Sequence, residues 1–538
     1  MPSPAPKAQQ EVQEIPLAMV GGNKFGRFPK ISDEQTYNFI VSDGFLVPYA
    51  GYKAAIEVNP TQVGRGLYMS SPGNIMVAVI GANVYSIGPS LVPILRGTLE
   101  TSNTEVYIAE NNNKQICLTD GAFVYVYDWS DQSFVSNSPN NPGVTFPFTD
   151  GNPGYIAFQN TYLIIALGNT QQWVLSAQNQ ALTWSSSAAF VGEIQSKPGF
   201  IQAAVPTPGG GNNILIMGDN VCESWQFTGA ALFPYQRNST YSIDYGCLNP
   251  ASIAELDNFI VWLAVNEQSG PVIMYSQGNQ TKNVSTDGID FKLAQLSDPG
   301  NCTGFLFRQD GHLIYQFTFV TDNLSYAYDF NSGLFFTVTD ENWDYHIARQ
   351  VVFFENDYYF VSLDGGNVYR FGTQYTDAIY SVEDDADSRE IPRLRVPPPL
   401  RMPSQRYFII KSVGFTIENG QPNHITTVSY QPGATGIDIA TESLDDLLTE
   451  GGLFITTEAD SSAPVTYEIR SEAVDLSISR DGGESFGSSW RLEMNKVGKR
   501  KSRFIWQRCG IANDSTLQFR FSGFGRFVCT DGIVEIYQ

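Results

Sequence analysis

Between residues 62 and 371 one pattern recurs: a short apolar or alternating run, a turn rich in Gly, Asn or Asp, and a second run ending in an aromatic. "GLYMSSPGNIMVAVIGANVYSIG", "EVYIAENNNKQICLTDGAFVYVYD" and "GYIAFQNTYLIIALGNTQQWVLS" are three of seven such stretches. The aromatic returns as Tyr85, Tyr127, Trp173, Trp225, Tyr275, Tyr328 and Tyr369. A period of roughly 40 to 50 residues is the length of a four-stranded propeller blade. Two successive β-sandwiches would have the same strand density but no reason for an aromatic at blade spacing. Closure usually pairs strands from both ends of the repeat in one blade, so seven stretches predict six blades. High Gly, Pro, Tyr and Phe (48, 29, 27 and 35) without sustained helical patterning agree with an all-β chain.

The rest of the chain is β-rich without the repeat. Residues 1–15 carry Pro, Ala and Gln and predict a flexible arm, whereas 16–61 hold strands and Gly turns that predict the N-terminal part of a platform. After the propeller at 62–371, residues 372–406 contain an acidic run at Glu383 to Asp387 and three prolines at Pro397 to Pro399, predicting a linker or crossing. Alternating runs from 407 to 538 predict a C-terminal β-sandwich platform, interrupted by one capped helix at 442–450. The expected fold is all-β: a six-bladed β-propeller with a sandwich-like platform formed by the N- and C-terminal segments.

The 538 residues carry 32 basic and 55 acidic side chains, a net charge of −23, so general attraction to phosphates is excluded. No apolar run is long enough to span a bilayer and the N-terminus lacks a signal-peptide core, which predicts no membrane insertion by this chain and synthesis in a cytoplasm. Six cysteines are scattered without a C-x-x-C pair, arguing for buried thiols over a zinc site or a disulfide frame. No phosphate-binding loop, H-E-x-x-H or EF-hand occurs, and the three histidines are far apart in sequence, so no cofactor and no metal are expected.

The stretch "SISRDGGESFGSSW" matches two enzyme signatures. As Gly-Glu-Ser-Phe-Gly it would place Ser485 on a nucleophile elbow, but no apolar helical stripe follows, and His312, His346 and His424 all precede it. As Ser-x-Asp-x-Gly-x-Ser-Phe it resembles an Asp box, in which Asp481 accepts from turn amides and Gly482 and Gly483 supply positive φ, a structural hairpin. A sialidase would need several such boxes within the repeats. Asp310 and Asp364 precede Gly between apolar runs and read as hairpin turns, not as a glycosidase pair. No catalytic residue is expected.

One segment opposes the global charge: "RLEMNKVGKRKSRFIWQR" gathers Arg491, Lys496, Lys499, Arg500, Lys501, Arg503 and Arg508, a candidate contact with an acidic neighbouring subunit or with DNA. Around it, the Ser-Arg-Asp-Gly-Gly hairpin, Gly-Lys-Arg-Lys-Ser-Arg, Trp-Gln-Arg-Cys-Gly and Phe-Arg-Phe, together with the N-terminal "GRFPKISDEQTYNFIVSDG" and "LVPYAGYK", resemble the tail hub or nozzle proteins of short-tailed bacteriophages, also described as packaged-DNA stabilisation proteins. That resemblance implies a homo-hexamer ring below the portal and its tail adaptor ring. It further implies genomic double-stranded DNA in the lumen, attachment of tail fibre or tailspike proteins, residence in the virion tail, and assembly in the host bacterial cytoplasm. The alternative is a carbohydrate- or receptor-binding propeller of sialidase-like kind, with a glycoside hydrolase more remote.

Overall fold

A computed structural model describes residues 12–25, 34–207, 212–278, 280–382, 388–402, 406–419, 473–494, 501–523 and 526–537. The chain divides into two compact units. One comprises residues 50–391 with 25–27, and the other comprises 1–24, 28–49 and 392–538.

The first unit is a β-propeller. Six blades of four or five strands follow one another in the chain, over residues 64–98, 107–136, 152–193, 201–243, 246–283 and 302–337. A further sheet closes the ring from Ala348–Phe354, Asp357–Ser362 and Gly366–Gly372, and its fourth strand is Gly51–Asn59, antiparallel to Gly366–Gly372. The six blades expected from the sequence are those of continuous chain, and the mixed sheet closes the ring between the last and the first of them. The start expected at residue 62 is corrected for the same reason: Gly51–Asn59 belongs to the propeller, where it satisfies the ladder of the last stretch. The linker expected over 372–406 is also corrected, since Ala378–Ile379 extends the closing sheet beside Tyr52 and Lys53 and pairs with Ser388–Arg389.

Each recurring aromatic sits on the third strand of its sheet, from Tyr85 in Asn83–Ile87 to Tyr369 in Gly366–Gly372. The hairpins between strands are tight because their central residues take positive φ, as in Asp310 and Gly311 (+50° and +86°), which join Gln309 to His312. Arg65, fully buried, fastens the first blade to the connection after it by bonding the carbonyls of Gly81 and Thr101 at 2.8 Å and the hydroxyls of Thr101 and Thr104 at 2.7 and 2.8 Å. Between the innermost strands lies a cavity of only about 100 Å³, crossed by an Arg349–Glu105 ion pair of 2.6 Å.

The second unit is a two-sheet sandwich. In one sheet the order is Val12–Leu17, Gly532–Tyr537, Phe408–Asn419, Phe527–Cys529, Phe45–Pro48 and Phe39–Ser42, with Lys501–Ala512 on the other side of Phe408–Asn419. In the other, Gln35–Tyr37, Arg393–Val396, Asp514–Ser522, Ala473–Ser479 and Trp490–Glu493 are neighbours. N- and C-terminal segments thus build one body, as the sequence implies. The arm expected over 1–15 is corrected at its end, because Val12–Leu17 pairs with Gly532–Tyr537 and buries Leu17. The proposed helix at 442–450 lies outside the described residues.

The sandwich core is aromatic, with Phe415 within 5.2–6.2 Å of Phe504, Trp506, Phe519 and Phe521. A fully buried guanidinium organises one end. Arg395 donates to the carbonyls of Ala18 (3.0 Å), Met19 (2.9 Å) and Gly22 (3.1 Å), to the Thr36 hydroxyl (3.0 Å) and to Glu34 Oε2 (3.0 Å), drawing the N-terminal segment onto the C-terminal strands. All six cysteines are buried thiols.

Candidate functional site

Strand period two decides which side chains of Lys501–Ala512 reach the sandwich surface. Phe504 and Trp506 point into the core, whereas Lys501, Arg503, Ile505 and Gln507 point outward. Arg508 then adopts a left-handed φ of +61° and Gly510 one of +93°, opposite the register shift between Ile410 and Ser412. This bulge turns Cys509 and Ala512 inward and leaves Ile511 57% exposed.

The neighbouring strands complete the face. Ile533, 43% exposed, and Glu535 project from Gly532–Tyr537; Lys411 lies beside them and binds Glu535 at 2.9 Å, with the Ser412 hydroxyl donating to the same carboxylate oxygen at 2.9 Å. These bonds hold the Glu535 carboxyl below its usual range and raise the Lys411 ammonium. Together with Glu14, Arg503 and Tyr537 they enclose a groove of about 680 Å³ with isoleucine in its walls and charges of both signs. Exposed apolar side chains interleaved with ordered charges suit a protein contact.

Of the basic residues singled out in sequence, the structure places Lys501, Arg503 and Arg508 on this strand. Arg491 is on the other sheet, where its register partner is Asp475 at 3.8 Å. Lys496, Lys499 and Arg500 lie outside the described residues. Glu14, Lys411, Ile533 and Glu535 were not foreseen, since only strand register brings their three segments together; the alternation in "GIVEIYQ" is the local sign of an outward face.

The Asp481 turn follows Ala473–Ser479. Asp481 Oδ1 accepts from the Ser479 hydroxyl at 2.6 Å and from the backbone of Glu484 and Ser485 at 3.0 Å, and Gly482 and Gly483 have φ of +77° and +93°. Hydrogen bonds from Ser479 and Ser485 lower the Asp481 carboxyl to about 2. The Ser485 hydroxyl is itself spent on Asp481, and neither His312 nor His346 belongs to this unit. Among the described residues no cluster of His, Cys, Asp and Glu is arranged to hold a metal, and no helix is long and apolar enough to cross a membrane.

The fold defines a protein of two β units, a β-propeller and a β-sandwich. Residues 32–331 match the family described as "Bacteriophage P22 Gp10, beta-propeller", and residues 447–536 match "Bacteriophage P22 Gp10, beta-sandwich". The chain belongs to this family and is a phage tail structural protein. No curated protein matches the chain. Solved structures match it at low identity. A catalytically inactive virginiamycin B lyase from Staphylococcus aureus, solved with quinupristin, gives 9% identity and a TM-score of 0.40 over 60% of this chain and 99% of its own. The WD40 propeller domain of Doa1 gives 12% and 0.37 over 60% and 96%.

Proposed function

We propose that the protein is the tail nozzle or hub: a homo-hexamer ring that binds the tail adaptor ring, extends the portal channel, retains packaged DNA and conducts it on ejection, and offers sites for tail fibres or tailspikes. The observation that carries this reading is membership of the P22 Gp10 family through both the propeller and the sandwich. The propeller's inner cavity of about 100 Å³ is far too small for a duplex, so DNA passes through the centre of the ring and not through a propeller. Net negative charge on each subunit keeps the conduit from adhering to its cargo. The groove beside Lys501 and Arg503 is the subunit or adaptor contact, and the Asp481 turn is structural. No catalytic chemistry is assigned.

Two measurements test this. Antibody to the chain, imaged with immunogold on purified particles, labels a single vertex at a short tail; absence from particles or label over the whole capsid refutes the reading. The double substitution Lys501→Glu with Arg503→Glu leaves melting unchanged but blocks incorporation into tails, whereas wild-type incorporation removes the groove from the proposal.

A further inference from the structure

A cleft of about 900 Å³ opens beside the third and fourth blades, a size typical of small-molecule sites. A carboxylate behind the lining fixes one of its residues, Arg237. Glu223 is fully buried, accepts from the backbone N–H of Gln195 and the indole N–H of Trp225 at 2.9 Å, and faces Arg237 Nε at 3.5 Å. Arg237 also donates to the Ser196 hydroxyl at 2.6 Å, so a guanidinium is fixed at the cleft without being left uncompensated. Phe233 packs edge-on against Trp173 at 5.3 Å and supplies an aromatic wall. Gln172 donates to Glu193 at 2.8 Å, and both side chains also line the cleft.

We propose that this cleft binds a neutral oligosaccharide. A sugar offers hydroxyls that both donate and accept, beside a weakly polar C–H face. Amides, a carboxylate and an anchored guanidinium meet the first, and an aromatic wall meets the second. A lipid tail would leave the polar lining unpaired, which is costly. An anionic polymer would meet Glu193 and Asp150 in the cleft and a chain of net charge −23. Such a site would give a tail structural protein a means of engaging a cell-surface glycan.

The test uses the full chain. Saturation-transfer NMR and calorimetry are run with neutral hexasaccharides derived from dextran, mannan and galactan, and with sialylated and uronate-containing oligosaccharides of similar size. At least one neutral member binds, and Gln172→Ala with Glu193→Ala weakens it about tenfold or more with melting unchanged. As a second variant, Ser186→Trp fills the cleft mouth and abolishes binding. Failure of every neutral member at about 10 mM, tighter binding of the anionic members, or binding indifferent to both variants overturns the proposal. Protection of the cleft from hydrogen exchange on self-association, without glycan binding, also overturns it and makes the cleft a contact between copies.

Discussion

Replacing Arg395 by Met tests whether one buried guanidinium holds the sandwich together. Five acceptors lie within 3.1 Å of it: three backbone carbonyls, the Thr36 hydroxyl and Glu34, whose side chain is only 17% exposed. Each hydrogen bond to a charged donor contributes about 1.5–3 kcal/mol, but the bonds share one group and do not add. Removing one partner of a buried ion pair costs about 3–5 kcal/mol, and Met recovers some packing, so the expected loss is about 4 kcal/mol. For a unit of this size that lowers the melting temperature by roughly 8–16 °C. Differential scanning calorimetry supplies the number. Hydrogen exchange by mass spectrometry supplies the place, with accelerated exchange in Val12–Leu17 and Gln35–Tyr37 and little change in the propeller strands. Arg395→Lys keeps the charge but not the planar fork and loses roughly half as much. A loss under about 1 kcal/mol for Met, or exchange accelerated equally in both units, refutes the claim that this residue joins the terminal segments.

Two further outcomes concern pH. His346 is buried among Tyr52, Phe360 and Phe371, and burial lowers it to about 3, so the unfolded chain binds a proton that the folded chain refuses. Its stabilising contribution is complete above the unfolded value near 6.5 and falls toward pH 3 by up to about 1.4 kcal/mol per unit. Glu255 behaves oppositely. Its side chain touches water, yet desolvation by the surrounding inner strands raises it to about 7, opposed by a 3.1 Å hydrogen bond from Tyr155, so stability it contributes below the unfolded value near 4.5 is lost as pH rises through 7. The two slopes oppose one another between about pH 4.5 and 6.5; His346→Phe and Glu255→Gln, followed by urea unfolding across that range, tilt the profile in opposite directions, and parallel profiles refute the assignment. For Asp481, lowered to about 2, the turn contribution is present above the unfolded value near 4 and disappears as pH falls through 2. Carboxyl NMR with Asp481→Asn as the assignment control follows that midpoint, and a midpoint near 4 refutes the hydrogen-bonded turn.

The propeller was legible because its signal is local and repeated. Alternating strands, Asp-Gly turns and one aromatic per stretch need no partner to be recognised, and Tyr85 through Tyr369 mark all seven sheets. The closing sheet was less legible since its fourth strand, "GYKAAIEVN", lies upstream of the first stretch and carries no such aromatic at its end. What identifies it is pairing with Gly366–Gly372 across some three hundred residues, a non-local fact. Val12–Leu17 escaped notice similarly: with Val12 and Glu14 outward and Pro16 in the run, it looks like an arm until Gly532–Tyr537 is set beside it.

Sites suffer most from this asymmetry, because sequence shows residue types and folding selects among them by burial. Fifty-five acidic side chains made any functional carboxylate arbitrary. Once folded, burial singles out a few: Asp120, Glu223 and Asp329 are fully buried, and of these Glu223 accepts from two backbone amides and an indole and faces Arg237. The basic segment shows the converse. Its cations were conspicuous in sequence, yet register sends Arg491 to the other sheet and gives Arg503 neighbours whose acids, Glu14 and Glu535, moderate its charge. A face of alternating sign with exposed isoleucines selects a complementary protein surface more readily than the uniform negative charge of DNA, so the described part of that segment fits the proposed subunit or adaptor contact better than a DNA contact.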